Sequence, residues 1–267
     1  MIIIVLIIIL GALDDSIGLG VTFRLITQLI CCLIVVGSGL VISNIGDYMY
    51  LPNIQIGFLS VLFTVFCVIG LTNAFNFIDG ADGLCGGMFL VSIITLLSFS
   101  YFSGTFEIIS DKILIFIVII SVVLFLFFNL TSFYKIFLGD SGSIFLGFIL
   151  SWLLIFYTQV EAIIHPVLVL WCVTLPTFDI ISVIIRRMLR KKNPFIADRR
   201  HIHHILLNLG YDSKIVVIFL LIFALSINSF GLLILFYLGT LMSLITFIVF
   251  FILYLFLSIQ LSRIKTN

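Results

Sequence analysis

The sequence predicts an all-α, polytopic helical membrane protein. Three observations lead there. Of its 267 residues, 63% are hydrophobic and only 9% are charged. Mean hydropathy is +1.41, far from the composition of a water-soluble domain. The apolar residues also fall in long unbroken runs. Lipid-embedded helices tolerate such runs because they satisfy their own backbone hydrogen bonds, whereas barrel strands alternate.

In chain order, residues 1–13 are wholly apolar and end at Asp14-Asp15. Thirteen residues fall short of the roughly 20 needed for a bilayer core. No positive charge precedes them and no small-x-small cleavage site follows, so a signal peptide is not expected. The expectation is the distal half of a truncated span, with earlier spans missing from the single domain 1–267. Further apolar runs cover about 22–43, 56–72, 84–103, 113–130, 143–158, 167–185, 214–236 and 239–260, giving about nine spans. The stretch 214–260 is too long for one span and is divided near Gly239. The five cysteines (31, 32, 67, 85 and 172) lie in or beside apolar runs without a CxxC pair. They read as small packing residues, with no disulfide expected.

Alternating the spans from Asp14-Asp15 puts every Lys and Arg except Lys112 on one side, twelve of the thirteen. The positive-inside rule makes that side cytoplasmic. Asp47, Glu107, Asp111 and Glu161 fall in the outer loops; the other eight acidic residues share the basic side. No nucleic-acid partner is expected. The expected partner surface is a lipid bilayer.

Four polar clusters interrupt the apolar pattern on that side. Adjacent carboxylates at Asp14-Asp15 repel unless a cation is near; a solvated helix end is the plain alternative. In L-T-N-A-F-N-F-I-D-G-A-D-G-L (71–84), Asn73, Asn76, Asp79 and Asp82 recur every three residues, near one helix face. The two D-G pairs predict a tight loop there. In F-L-G-D-S-G-S (137–143), Gly139 and Gly142 permit close backbone approach and Asp140 offers a hard oxygen ligand. Ser141 or Ser143 can instead cap the following helix. The longest cytoplasmic loop, 186–213, holds D-R-R-H-I-H-H at 198–204. Arginine beside clustered histidines suits a diphosphate better than zinc, since no cysteine or H-x₃-H spacing accompanies them. His165 reads as structural. Asp179, close to Pro176, reads as a kink with a buried polar contact and receives no role. Together the clusters describe a pocket at the membrane surface, with carboxylates for a divalent cation and a basic loop for phosphates.

G-A-L-D-D (11–15), N-A-F-N-F-I-D-G-A-D-G-L (73–84), F-L-G-D-S-G-S (137–143) and D-R-R-H-I-H-H (198–204) together resemble the polyprenyl-phosphate N-acetylhexosamine-1-phosphate transferases. The H-x-H-H form, P-F-x-x-D-R and H-P-V-L-V-L-W (165–171) look most like the bacterial branch acting on UDP-N-acetylglucosamine and undecaprenyl phosphate. The resemblance implies a multi-pass enzyme of the bacterial cytoplasmic (inner) membrane, its active site facing the cytoplasm. It would transfer N-acetylglucosamine 1-phosphate to undecaprenyl phosphate, release UMP, use Mg²⁺ or Mn²⁺, and initiate a lipid-linked envelope glycan such as O-antigen. A homodimer is left open. Carried over by position, Asp140 resembles the main metal ligand, with Asn76 the second. Phe137 would pack on the uracil and Asp82 would reach its edge, with Asn73 among the substrate-binding residues. Asp79 would lie by the diphosphate as a catalytic residue, and Asp14 and Asp15 where the lipid phosphate arrives. Arg199, His201, His203 and His204 would bind diphosphate and sugar.

The chain departs from the family pattern where D-D-x-x-D becomes Asp14-Asp15-Ser16-Ile17-Gly18. It also lacks two spans and a basic loop that the resemblance places before the first Asp pair. A short first helix is expected to hold that pair loosely, leaving the chain inserted but weakly active. Two alternatives stand beside the enzyme: a truncated inactive homologue, and an ion-coupled transporter, whose polar groups would lie near the midplane.

Overall fold

The computed structural model describes residues 2–49, 51–109, 112–131, 134–191 and 201–263. Among the described residues, ten α-helices follow one another: α1 (Ile2–Ile17), α2 (Val21–Gly37), α3 (Ser60–Ile78), α4 (Leu84–Phe102), α5 (Lys112–Leu130), α6 (Gly139–Gln159), α7 (Pro166–Cys172), α8 (Thr174–Leu189), α9 (Ile202–Asn208) and α10 (Ser213–Leu261). This is an all-α polytopic membrane protein. By length and composition, five described helices suffice to cross a membrane: α4, α5, α6, α10, and α3 together with its 3₁₀ lead-in. A further candidate is the pair α7 and α8, bent by 79°.

Several boundaries differ from the expected runs. The run 22–43 stops being helical at Gly37, because Ser38 and Gly39 form a turn. Residues 44–49 instead pair with residues 51–55 through the bridges Asn44–Gln55 and Tyr48–Leu51. Gln159, at the end of α6, fastens the first of these segments by accepting from the backbone N–H groups of Ser43 and Asn44 and donating to the Asn44 carbonyl. Helix α3 starts later than expected but runs through the polar stretch to Ile78. Helix α6 starts earlier, so Asp140 and Ser143 belong to its first turns.

The division near Gly239 is a real break in α10. Gly239 has φ 82° and ψ −178°, outside any helical region. The two arms run in opposite directions. On the first, Leu221 lies by Gly87 and Asn228 donates to Thr95. On the second, Trp171 donates to Ser243 and Tyr254 donates to Asp179, so the chain returns alongside α7 and α8.

Helix α6 is the central post, with α1 and α3 packed closely against it. A methyl group on Gly11 of α1 would collide with the Ser141 backbone. One on Gly147 of α6 would stand 2.8 Å from the Thr72 Cα and 2.9 Å from the Phe75 Cβ. Small residues at such crossings bring helix backbones together where the hydrophobic effect between helices is weak. The outer faces of α5 and α10 carry exposed apolar side chains, among them Ile113, Phe127, Ile218 and Phe256, as a lipid-facing surface requires.

Candidate active site

The tight crossings place three helix ends side by side: the end of α1, the end of α3 and the start of α6. Between them lies a cavity of about 610 Å³, lined by Asp14, Asp15, Asp79, Asp82, Phe137, Asp140 and their neighbours.

Helix α6 begins at Gly139, whose φ of 66° favours glycine. The Asp15 carboxylate lies against this glycine, where a Cβ would come within 2.7 Å of Oδ2. Asp15 accepts from the Asp140 N–H at 2.7 Å, the Ser141 N–H at 3.2 Å and the Ser141 hydroxyl at 2.9 Å. The N-terminal N–H groups of α6 are therefore capped by a carboxylate from another helix. Asp14 points elsewhere. It is buried, accepts from the Leu19 N–H at 2.8 Å and pairs with Arg24 at 3.1 Å. The Arg24 guanidinium also lies 3.7 Å from Asp140. Both carboxylates have partners outside α1.

Asn76, on the last turn of α3, donates to Asp140 at 2.7 Å and to the Ser143 hydroxyl at 3.0 Å. It stands beside Asp140 without lining the cavity. Asp79 ends α3 and lies at the cavity wall. Burial pushes its carboxyl up to about 7, and Asp140, Asp15 and Asp82 push it the same way. Asp82 forms an ion pair with Lys135, whose ammonium also sits 5.0 Å above the ring of Phe137. Phe137 is 73% exposed, a large aromatic face at a polar mouth. The loop carrying it is fixed by Asn129, which donates to the Ile136 carbonyl at 2.8 Å.

His201, His203 and His204 do not line the cavity; the motif meets its wall at Gly80. His203 is fully buried, and its Nε2 sits where a side chain on Gly80 would be. Burial pushes its ring down to about 3, with His204 and His201 adding to the shift, so it is neutral. His204 packs on His203 at 4.1 Å between ring centroids, and His201 stacks on Phe77 at 5.1 Å. Arg199 lies outside the described residues. Asn73 does not line the cavity: its amide donates to Gln28 at 2.8 Å and to the Ile69 carbonyl at 2.8 Å. Three residues turn a helix by about 300°, so Asn73 and Asn76 point roughly 60° apart. One meets α2 and the other meets α6.

Sequence reasoning missed Arg24, Asn129, Lys135 and Asp179. Arg24 counted only toward sidedness. Asn129 is a lone amide closing a very apolar helix, a signal in plain view.

The profile described as "Glycosyl transferase family 4" matches residues 1–158. The chain belongs to glycosyl transferase family 4. Among relatives in the family, the undecaprenyl-phosphate alpha-N-acetylglucosaminyl 1-phosphate transferase of Yersinia pestis is 33% identical over 214 residues, covering 78% of this chain and 58% of that protein. The enzyme of the same description from Escherichia coli K12 is 31% identical over 229 residues, covering 84% and 62%. A probable undecaprenyl-phosphate N-acetylglucosaminyl 1-phosphate transferase of Bacillus subtilis is 34% identical over 230 residues, covering 84% and 62%. The chain thus spans about six tenths of the length of these curated family members.

Proposed function

We propose that this chain transfers N-acetylglucosamine 1-phosphate, or a related N-acetylhexosamine 1-phosphate, from a UDP-sugar to undecaprenyl phosphate at the cytoplasmic face of a bacterial inner membrane. The observation that carries this reading is the junction of Asp15, Asn76 and Asp140. Three sequence-distant motifs meet there, within hydrogen-bond reach, at a polar cavity on a lipid-embedded scaffold. The relatives' names carry the same acceptor and transferred group. The concentration of basic residues on the same side supports a cytoplasmic opening. The family match speaks against the transporter alternative.

The reaction joins an oxygen of the lipid phosphate to the β-phosphorus of the UDP-sugar. The α–β anhydride bond breaks, and its electron pair leaves with UMP. Two anions must approach, so electrostatic stabilisation and positioning dominate. Among the described residues no three His, Cys, Asp or Glu side chains converge as a closed metal site. The donors nevertheless fit Mg²⁺ or Mn²⁺, because Mg²⁺ needs only one or two carboxylates beside water and phosphate oxygens. Asp140 would hold the cation, with the Asn76 amide turned to present its oxygen. Burial chiefly raises the proton affinity of Asp79, and the carboxylates of Asp140, Asp15 and Asp82 add to it. A bound cation would neutralise charge on the diphosphate.

The remaining work falls to the chain's own groups. Arg24 holds Asp14 and faces Asp140, at the edge where a lipid phosphate would arrive from the bilayer. A phosphate monoester loses its second proton near pH ~6, so Asp14 and Asp15 serve charge positioning more than proton removal. Phe137 offers a stacking face for the uracil, and Asp82 with Lys135 offers acceptor and donor groups at its edge. Substituting Asp140→Asn tests the reading. Transfer should be lost while the protein inserts and folds normally, and near-normal UMP release by this variant at ordinary Mg²⁺ would sink it.

A further inference from the structure

Asp179 has no part in the reaction as described, yet its side chain is wholly buried, at 0% exposure. A buried carboxylate is costly unless its lone pairs are used. Here they are used. Oδ2 lies 2.7 Å from His201 Nδ1, within hydrogen-bond distance. Oδ1 accepts from the Ile202 backbone N–H at 2.9 Å and from the Tyr254 hydroxyl at 3.2 Å. Apolar packing would join α8, α9 and α10 at lower cost if fastening were the only task. A carboxylate is needed where a particular hydrogen must be held.

That hydrogen is on His201. Its ring is 5% exposed and lies nearly parallel to Phe77, at 5.1 Å and 29°. Phe77 is the neighbour of Asn76 and stands two residues before Asp79. The ring of His203 lies nearly parallel beyond it, at 6.1 Å and 16°, against Gly80. Both rings are thus laid on the turn that carries the acidic site.

We propose that Asp179 is a positioning residue for His201. By accepting from Nδ1 it fixes the ring tautomer and leaves Nε2 as the nitrogen that meets the anionic diphosphate-sugar part of the nucleotide substrate. By accepting from Ile202 and Tyr254 it fixes the ring against Phe77. This rests on the reading under Proposed function. Among the described residues, the other titratable or charged groups around the pair are His203, His204, Tyr254 and Arg186.

The test is a double-mutant cycle on the full chain, with Asp179→Asn and His201→Gln made singly and together. UDP-N-acetylglucosamine turnover and KM are followed alongside thermal unfolding. Asparagine keeps the acceptor for Ile202 and Tyr254 but turns an N–H toward His201. Asp179→Asn should lower kcat about tenfold to a hundredfold, the usual range for a group that orients a site residue. It should cost nothing further once His201 is Gln. Losses that multiply in the double variant would overturn the proposal. If Asp179→Asn does not fold, ¹⁵N-histidine spectra of the unsubstituted protein decide, with His201 assigned by difference from His201→Gln. A hydrogen on Nδ1 supports the proposal, and the Nε2–H tautomer overturns it. Lack of turnover by the unsubstituted chain would instead count against the transferase reading, and the tautomer would still judge Asp179.

Discussion

Asp15 caps the helix whose first turn carries Asp140: its Oδ1 accepts from the Asp140 N–H at 2.7 Å across 125 residues of sequence. One carboxylate of the first acidic pair therefore serves the backbone of the third cluster. Asp15→Ala should leave two N–H groups of α6 without a partner, costing about 0.5–2 kcal/mol by analogy with lost helix caps. Because the freed turn carries Asp140, activity should fall by more than stability alone accounts for. Thermal unfolding and turnover of the purified variant check this. Asp15→Asn should recover part of both, since its amide oxygen still accepts.

Gly147 sets the distance between Asn76 and Asp140. A methyl group there would press on the Thr72 backbone and on Phe75. Overpacking of this kind typically costs about 1–3 kcal/mol. Gly147→Ala should push α6 off α3, lower the thermal midpoint and weaken activation by divalent cations. Unchanged Mg²⁺ dependence with reduced stability would separate the crossing from the site.

Asp79 gives a pH dependence with a definite sign. Its folded-state proton affinity is raised to about 7 from 3.8, chiefly by burial and then by Asp140, Asp15 and Asp82. Between those two values the folded protein binds more protons than the unfolded chain, so stability falls as pH rises through the window. Above about 7 the carboxylate is charged in both states and the penalty is complete. Without divalent cations, Asp79→Asn should be more stable than the unsubstituted protein at pH 8 and differ little at pH 4. Added Mg²⁺ should raise the unsubstituted protein's melting temperature more at pH 8 than at pH 5. Melting curves at these pH values, with and without Mg²⁺, decide it.

Much of this was legible in the sequence, for physical reasons. Apolar runs mark helices because lipid demands them, and the excessive length of 214–260 exposed the turn at Gly239. Clustered acidic and glycine residues marked the cavity because such groups are expensive at a membrane edge. Partners distant in sequence were not legible. Asp15 looked like a candidate for chemistry, and nothing local reveals that it caps α6. Asn73 and Asn76 shared a period, yet a turn of about 60° sends them to different helices. Asp179 looked like a kink residue because its partners, His201, Ile202 and Tyr254, come from elements folded back onto α8.

The identity of the leaving group tests the central claim most directly. Sugar-1-phosphate transfer breaks the diphosphate, whereas ordinary glycosyl transfer leaves it whole. The purified chain would be given UDP-N-acetylglucosamine labelled in the sugar, with undecaprenyl phosphate and Mg²⁺, and both products quantified. The account predicts UMP and a lipid-linked sugar diphosphate in equal amounts, lost on chelation and lost in Asp140→Asn. Release of UDP, or the same yield of UMP from Asp140→Asn, would contradict it.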